Sequence, residues 1–482
     1  MSHVTCLLLA GSLLTGCKKW LDVAPADKVP QKVLFSNEQG FKDALIGIYM
    51  GMDKSGSTGL YTNHLSTGLL SVLAYAYNNG NAANAGGNGP LYNAAYNYNY
   101  NDATLSAELL NIWKGLYNNI ANLNNILTQI DEKRSLFSGN NYQLIKGEAL
   151  GLRAMLHFDA VRMWGESPAT GAEVLAIPYV TQFDILLTPL SSVNGACDLA
   201  IQDLHEARNL LAQTDTSSVK QGVTDPFTSY TQNHFNYWAV TGLLSRVHQY
   251  RGNTDSALYY ANAVIASNKF PLITSDVAYI NNPVRDRTYS QEHLFALYTT
   301  NIVTYNSALF NGSNPLTLSI TARIALYGTP AADQSDWRLR SWFDENGNTS
   351  RVIVPSKFYQ DANLPYQLQN ILPVMRISEM YYIASESINQ KGDIPGAVSY
   401  LNSVRMARGL QALNAAGIST PDSVNHAIMN EYKKEFIQEG QTWFYYKRRN
   451  MDLRQASGTP AQIPAKPYVF PLPDLEKEYR HG

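Results

Sequence analysis

An all-α fold is predicted, a tetratricopeptide-like scaffold of helical pairs carrying long irregular loop excursions and a little β hairpin. Three observations predict it. Apolar residues recur every three or four positions over long stretches, two helix pairs in the second half superpose residue by residue, and the segments between pairs lose this period and fill with Pro, Tyr, Asn and Gly. The 482 residues are 45% hydrophobic and 16% charged, enough apolar material for a large core and too little charge for a disordered chain.

The first element is an apolar run from Leu7 to Gly16, too short to cross a bilayer as a helix, which ends in Leu14-Thr15-Gly16-Cys17. Small residues before a single Cys resemble a bacterial lipobox. Residues 1–16 are therefore expected to be a lipoprotein signal peptide and Cys17 the lipidated first residue of the mature chain. An ordinary secretory signal with an incidental Cys17 is the alternative. Met1 to Thr5 lacks Lys and Arg, which suggests a start further upstream. Residues 17–35, rich in charge and Pro, read as a tether, and 36–482 as one helical domain with loop-rich insertions at about 53–100 and 273–373. With Cys6 lost alongside the signal and Cys17 acylated, Cys197 stands alone beside Leu199 and Ile201, so no disulfide framework is expected.

Helices follow over 36–52 and 101–137, where Leu109, Ile112, Leu116, Ile120, Leu123, Leu127 and Ile130 form one apolar stripe. Gln143 to Trp164 repeats the pattern through Ile145, Ala149, Leu152, Leu156, Ala160 and Met163, with a partner from Val193 to Leu211. Two later pairs turn at Gly252-Asn253 and Gly392-Asp393. Their second helices align Ala257 with Ala397, Tyr260 with Tyr400, Asn262 with Asn402 and Val264 with Val404. This is tetratricopeptide logic without the full consensus, and about four such pairs would stack into a small superhelix. The excursions differ in kind. Tyr75 to Tyr100 is crowded with Tyr and Asn, and Ile273 to Pro373 is broken by Pro283, Pro315, Pro330, Pro355 and Pro365, with a hairpin expected at Asn346-Gly347.

Enzymatic motifs are missing: there is no Gly-x-Ser-x-Gly elbow, His-Glu-x-x-His pair or Walker loop. No cofactor and no metal site are expected, and His157, inside an apolar helix, reads as a satisfied core residue. Glu431, Glu435 and Glu439 fall at successive i, i+4 positions and could share a helix face as an acid and a nucleophile, but pairing with nearby Lys or Arg is the preferred reading. Asp344, Asn346 and Asn348 alternate as in a calcium loop yet lack its Gly and Glu, which favours a turn. A formal net charge of -2 without long basic runs excludes nucleic acid as an expected partner.

Several blocks together resemble the SusD/RagB family of Bacteroidetes outer-membrane lipoproteins. They are Cys17 to Asp22, Trp113 to Ile130, Gly147-Glu148-Ala149 with Arg153-Ala154 and His157-Phe158 to Trp164-Gly165, Arg376 to Tyr382 with Ala384 and Glu386, and Ala397 to Arg408. Glu435-Phe436, Glu439-Gly440-Gln441, Tyr446-Lys447-Arg448 and Tyr468 to Pro473 complete the set. Thr442 and Tyr445 depart from the family, many of whose members have Arg and Asp there. The resemblance implies an extracellular, non-enzymatic helical protein, lipid-anchored in the outer membrane. It would bind a glycan or other oligomeric nutrient and deliver it to a TonB-dependent SusC-like transporter. A tetratricopeptide scaffold that holds a protein partner and a surface glycoside hydrolase are the competing readings.

The ligand is expected on the loops. Sugar rings stack on aromatic planes, and their hydroxyls match the donor and acceptor of an amide. Tyr96, Tyr98 and Tyr100 alternate with Asn97, Asn99 and Asn101, so an extended strand would put rings on one face and amides on the other. In resembling proteins, aromatics from two excursions meet at the site. The candidate platform is therefore Tyr96, Tyr98 and Asn99 with Trp337 from the second excursion; a loop that merely covers the scaffold is the alternative.

Overall fold

The computed structural model describes residues 30 to 481 apart from 56–57, 78–88, 215, 217–224, 226, 277–283, 312–314, 329–335, 346–351, 415–416, 455–463 and 466. The signal, Cys17 and most of the tether lie outside the described residues. The expected all-α architecture is present. Helix α1 (Glu38–Asp53) is capped by the Asn37 side chain, which accepts from the Gly40 amide, and a short α2 (Gly89–Tyr96) follows. Asp102 caps the long α3 (Ala103–Ile130), whose stripe of Leu109, Ile112, Leu116, Ile120, Leu123 and Ile130 is buried. Helices α4 (Asn141–Trp164) and α5 (Val193–Leu211) then fold back in turn.

Helix α4 is the axle of the molecule. Every residue from Gly147 to Trp164 is buried, because α3, α5 and the C-terminal segments enclose it. A Cβ at Gly147 would stand 2.7 Å from Cγ of Leu211, so the absence of a side chain there sets the close approach of α5. The polar residues that α4 buries are all bonded. Arg153 grips Asp203 with two hydrogen bonds of 2.8 and 2.6 Å, Arg162 pairs with Asp159, and Glu148 accepts from the Tyr49 hydroxyl.

The superposable pairs are α6 (Tyr237–Arg251) with α7 (Thr254–Ala266), and, after α8 (Asn301–Phe310) and α9 (Ile320–Tyr327), α10 (Ile377–Gln390) with α11 (Ile394–Met406). Gly252 and Gly392 turn both in the left-handed region, at φ 86° and 85°. At matching positions the Ser245 hydroxyl donates to the Ala257 carbonyl at 2.8 Å and Ser385 to Ala397 at 2.7 Å. The two pairs are joined directly by the Tyr400 hydroxyl, which donates to Asn262 Oδ1 at 2.8 Å. Helices α12 (Pro421–Glu435), α13 (Gln441–Arg448) and α14 (Asp474–His481) close the fold.

The expected hairpin strands pair, Phe343–Glu345 antiparallel to Val352–Pro355, and the turn expected at Asn346-Gly347 lies outside the described residues. A longer antiparallel pair, His293–Tyr298 with Ile371–Arg376, lies at the edges of the stretch expected to be irregular. Finally, the C-terminal segment straps the two halves together. The Trp164 indole donates to the Pro471 carbonyl at 3.1 Å, the Phe470 amide to Met163 O at 3.1 Å, and the Tyr100 hydroxyl to Pro467 O at 2.7 Å.

Candidate ligand-binding cleft

The two excursions meet. Tyr75 and Ala76 from the first, Leu318, Ala322 and Leu326 from the second, and Lys433, Phe436, Thr442 and Tyr446 from the C-terminal helices wall a cleft of about 720 Å³. Tyr75 ends the short helix Leu69–Leu73 and its turn with φ at 55°, a conformation that a bulky side chain adopts only when its surroundings hold it. Its hydroxyl provides the hold, donating to the Tyr96 carbonyl at 2.8 Å, while the two rings meet edge to face at 4.5 Å and 80°. Tyr98 (φ 53°) lies beneath, tied through its hydroxyl to the Leu73 carbonyl. Tyr100 continues the line of rings to Phe470.

The predicted platform needs correction in two respects. Residues 89–96 are helix α2 and the chain then turns, so the alternation of Tyr and Asn does not segregate two faces. Tyr98 is 7% exposed and supports the cleft from below, with no ring face left for a ligand. Trp337 opens a short helix (Trp337–Trp342) with its amide on the Arg408 carbonyl at 3.0 Å; it is half-buried and not among the cleft walls. Tyr96 is not itself a cleft wall but is half-buried against Tyr75, which is one, and Asn99 is exposed in the following turn. Sequence reasoning missed Leu318, Ala322 and Leu326. Small and aliphatic side chains carry no chemical signature, and their place is set by α9 folding back on α12.

The chemistry behind the cleft is structural. Helix α12 stops at Glu435, and Gln438 and Gly440 turn the chain in the left-handed region, so Glu439 leaves the face it was expected to share with Glu431 and Glu435. All three enter a buried cluster of charges. Glu435 takes Arg376 at 2.5 Å, Arg408 at 2.6 Å and Arg338 at 3.0 Å; Glu431 takes Arg405 at 2.6 Å and Arg338 at 2.8 Å; Glu439 takes Arg376 at 2.8 Å and Lys357. Burial alone would raise the Glu435 carboxyl, but Arg408, Arg376 and Arg338 hold it well below the usual carboxylate range. A carboxylate held ionised in this way cannot serve as a general acid. Burial draws the Lys357 amine down to about 7, where it lies 3.6 Å over the Trp342 ring. Among the described residues no group of three His, Cys, Asp or Glu could hold a metal ion, and no helix is long and apolar enough to cross a membrane.

A second cleft of about 700 Å³ opens beside α4 and α6, lined by Phe227, His234, Trp238 and Phe270. Its His234 and Asn236 side chains are committed to the fold. His234 Nδ1 is 3.1 Å from Glu148, and Asn236 caps α6 by accepting from the Trp238 and Ala239 amides. The first cleft is the stronger candidate because both excursions converge on it.

A stacked helical scaffold with an aromatic cleft on its loops defines a binding protein by class. A family model described as SusD-like, "starch-binding associating with outer membrane", matches residues 19–248, and the SusD family model matches 342–464, together nearly three quarters of the chain. The chain belongs to the SusD/RagB family. SusD-like protein P38 of Formosa agariphila is 23% identical over 354 residues, 63% of this chain; the match spans 66% of that protein's length, just under two thirds. A SusD superfamily structure from Bacteroides thetaiotaomicron superposes with a TM-score of 0.68 at 22% identity, covering 92% of this chain and 98% of the other. One from Bacteroides fragilis gives 0.69 at 19%, with the same coverage. A SusD-like carbohydrate binding protein from Bacteroides vulgatus gives 0.63 at 19%, covering 86% and 83%. At these identities the superpositions establish the fold.

Proposed function

We propose that this chain is a cell-surface lipoprotein of the outer membrane. It captures a glycan or other oligomeric nutrient at the Tyr75–Tyr96 cleft, without enzymatic turnover, and delivers it to a TonB-dependent SusC-like transporter. The observation that carries this is the convergence of both excursions on an aromatic cleft whose neighbouring carboxylates are locked in ion pairs. Family membership and the carbohydrate-binding relative from B. vulgatus support the ligand class. Tyr96 and Asn99 remain proposed contacts, joined by Tyr75 in the place first given to Trp337.

Loss of a stacking ring costs about 0.5–1.5 kcal/mol beyond lost area, so Tyr75→Ala and Tyr96→Ala are each expected to weaken glycan binding several-fold in calorimetric titration. Wild-type affinity in both would move the site elsewhere, and shortened sugars in the cell would establish turnover. For the anchor, Cys17→Ala is expected to shift the protein from the membrane to the soluble fraction and abolish palmitate labelling. Continued labelling would show that Cys17 is not the lipidated residue.

A further inference from the structure

A second group of tyrosines lies at the far end of the long strand pair. Tyr298 (60% exposed) ends its strand, Tyr366 (66%) and Tyr359 (40%) belong to the segment leading into the partner strand, and Tyr230 stands close to Tyr366. Amides stitch the patch together. Asn370 donates from Nδ2 to the Tyr298 hydroxyl at 3.4 Å and from its backbone to Gln360 Oε1 at 3.3 Å. Tyr230 and Asn370 are both held in the left-handed region, at φ 52° and 60°. Backbone strain at a half-buried tyrosine persists only where the surroundings fix it, and such sites are enriched where ligands bind.

We propose that this patch is a second sugar platform, which takes a stretch of a neutral glycan chain across the Tyr298 and Tyr366 rings; the ligand class rests on the function proposed above. The side chains around the rings favour a sugar over a protein partner. Asn370 and Gln360 supply amides beside the rings, Arg287 stands over the Tyr359 ring at 5.2 Å, and Leu364 of the same segment is buried. The patch is also separate from the cleft. Helix α8 begins three residues after Tyr298 and ends with Phe310 against Tyr77 on the cleft side, and its ten residues span about 15 Å. A polymer long enough to cover that distance engages both platforms, and the second contact then forms at the high effective concentration of a tethered ligand.

The test is titration of wild type, a Tyr298→Ala/Tyr366→Ala double variant, Tyr75→Ala and the combination. The probes are short and long oligosaccharides from starch, xylan, mannan and galactan, and near-ultraviolet circular dichroism monitors the fold. The double variant is expected to bind short sugars like wild type but long ones at least about tenfold more weakly, and Tyr75→Ala to keep weak long-chain binding that the combination loses. Wild-type long-chain affinity in a folded double variant overturns the second platform, and the cleft reading survives if Tyr75→Ala weakens binding. Absence of wild-type binding to every probe overturns both.

Discussion

Glu435→Gln is expected to destabilise the protein by about 3–5 kcal/mol, because it removes the one buried negative charge that three buried guanidinium groups share and leaves the cluster with excess positive charge. Arg338, Arg376 and Arg408 are fully buried, and each directs a bond to this one carboxylate. The Glu292 carboxylate compensates only in part, since its bonds to Arg408 at 2.7 and 2.8 Å already exist. The measurement is guanidinium chloride unfolding, where the midpoint should fall with the slope unchanged. A loss below about 1 kcal/mol would place the variant in the range of exposed pairs and refute the burial argument. Glycan affinity in the folded variant should stay close to wild type, since Glu435 does not line the cleft.

Acid should weaken the fold through His157 well before most carboxylates protonate. The ring is fully buried and stacked on Tyr179 at 3.9 Å, with Nδ1–H donating to Arg153 O and Nε2 accepting from the Val180 amide, both at 2.9 Å. The Val180 bond requires the neutral Nδ1–H tautomer, because a protonated Nε2 could no longer accept. Burial depresses the imidazole from its ordinary 6.5 to about 3. Above pH 6.5 neither the folded nor the unfolded state holds the proton, and the stability is complete. Between 6.5 and about 3 only the unfolded chain takes the proton, so stability falls continuously, by on the order of 4 kcal/mol at the lower end. Urea unfolding of wild type and His157→Gln at pH 7, 5 and 4 checks this. The variant should be less stable at pH 7 and lose less on acidification; parallel declines would rule out His157 as the source.

The helical frame was legible because amphipathic helices write their burial into a period, as the stripe of α3 and the matched frames of α7 and α11 do. The strand His293–Tyr298 was not, because it is buried on both faces over its first five residues and shows no alternation, and its partner carries Pro373, which argues against a strand. The meeting of the two excursions was expected by family resemblance, yet the residues that meet were only partly legible. Tyr96 was found by composition. Tyr98 was misplaced because a local alternation of rings and amides reads as a strand until α2 and its left-handed turn are known, and Trp337 because an aromatic beside charges looks exposed when those charges are in fact buried. The Glu431, Glu435 and Glu439 spacing gave the correct pairing with cations, although only the three-dimensional structure shows that the partners come from four separate segments.

The C-terminal strap has a consequence for how the chain acquires its structure. Trp164 waits for a partner carbonyl 307 residues downstream, and Tyr100 for one 367 residues downstream. At synthesis rates of about 5–20 residues per second, the interval before Pro471 is made is roughly 15–60 s, far longer than helix formation and collapse require. The first helices are therefore assembled early with one apolar flank uncovered, and the last fifteen or so residues finish a surface rather than add a module. A truncation ending before Tyr468 is expected to leave that flank, with the Trp164 indole, without its partner.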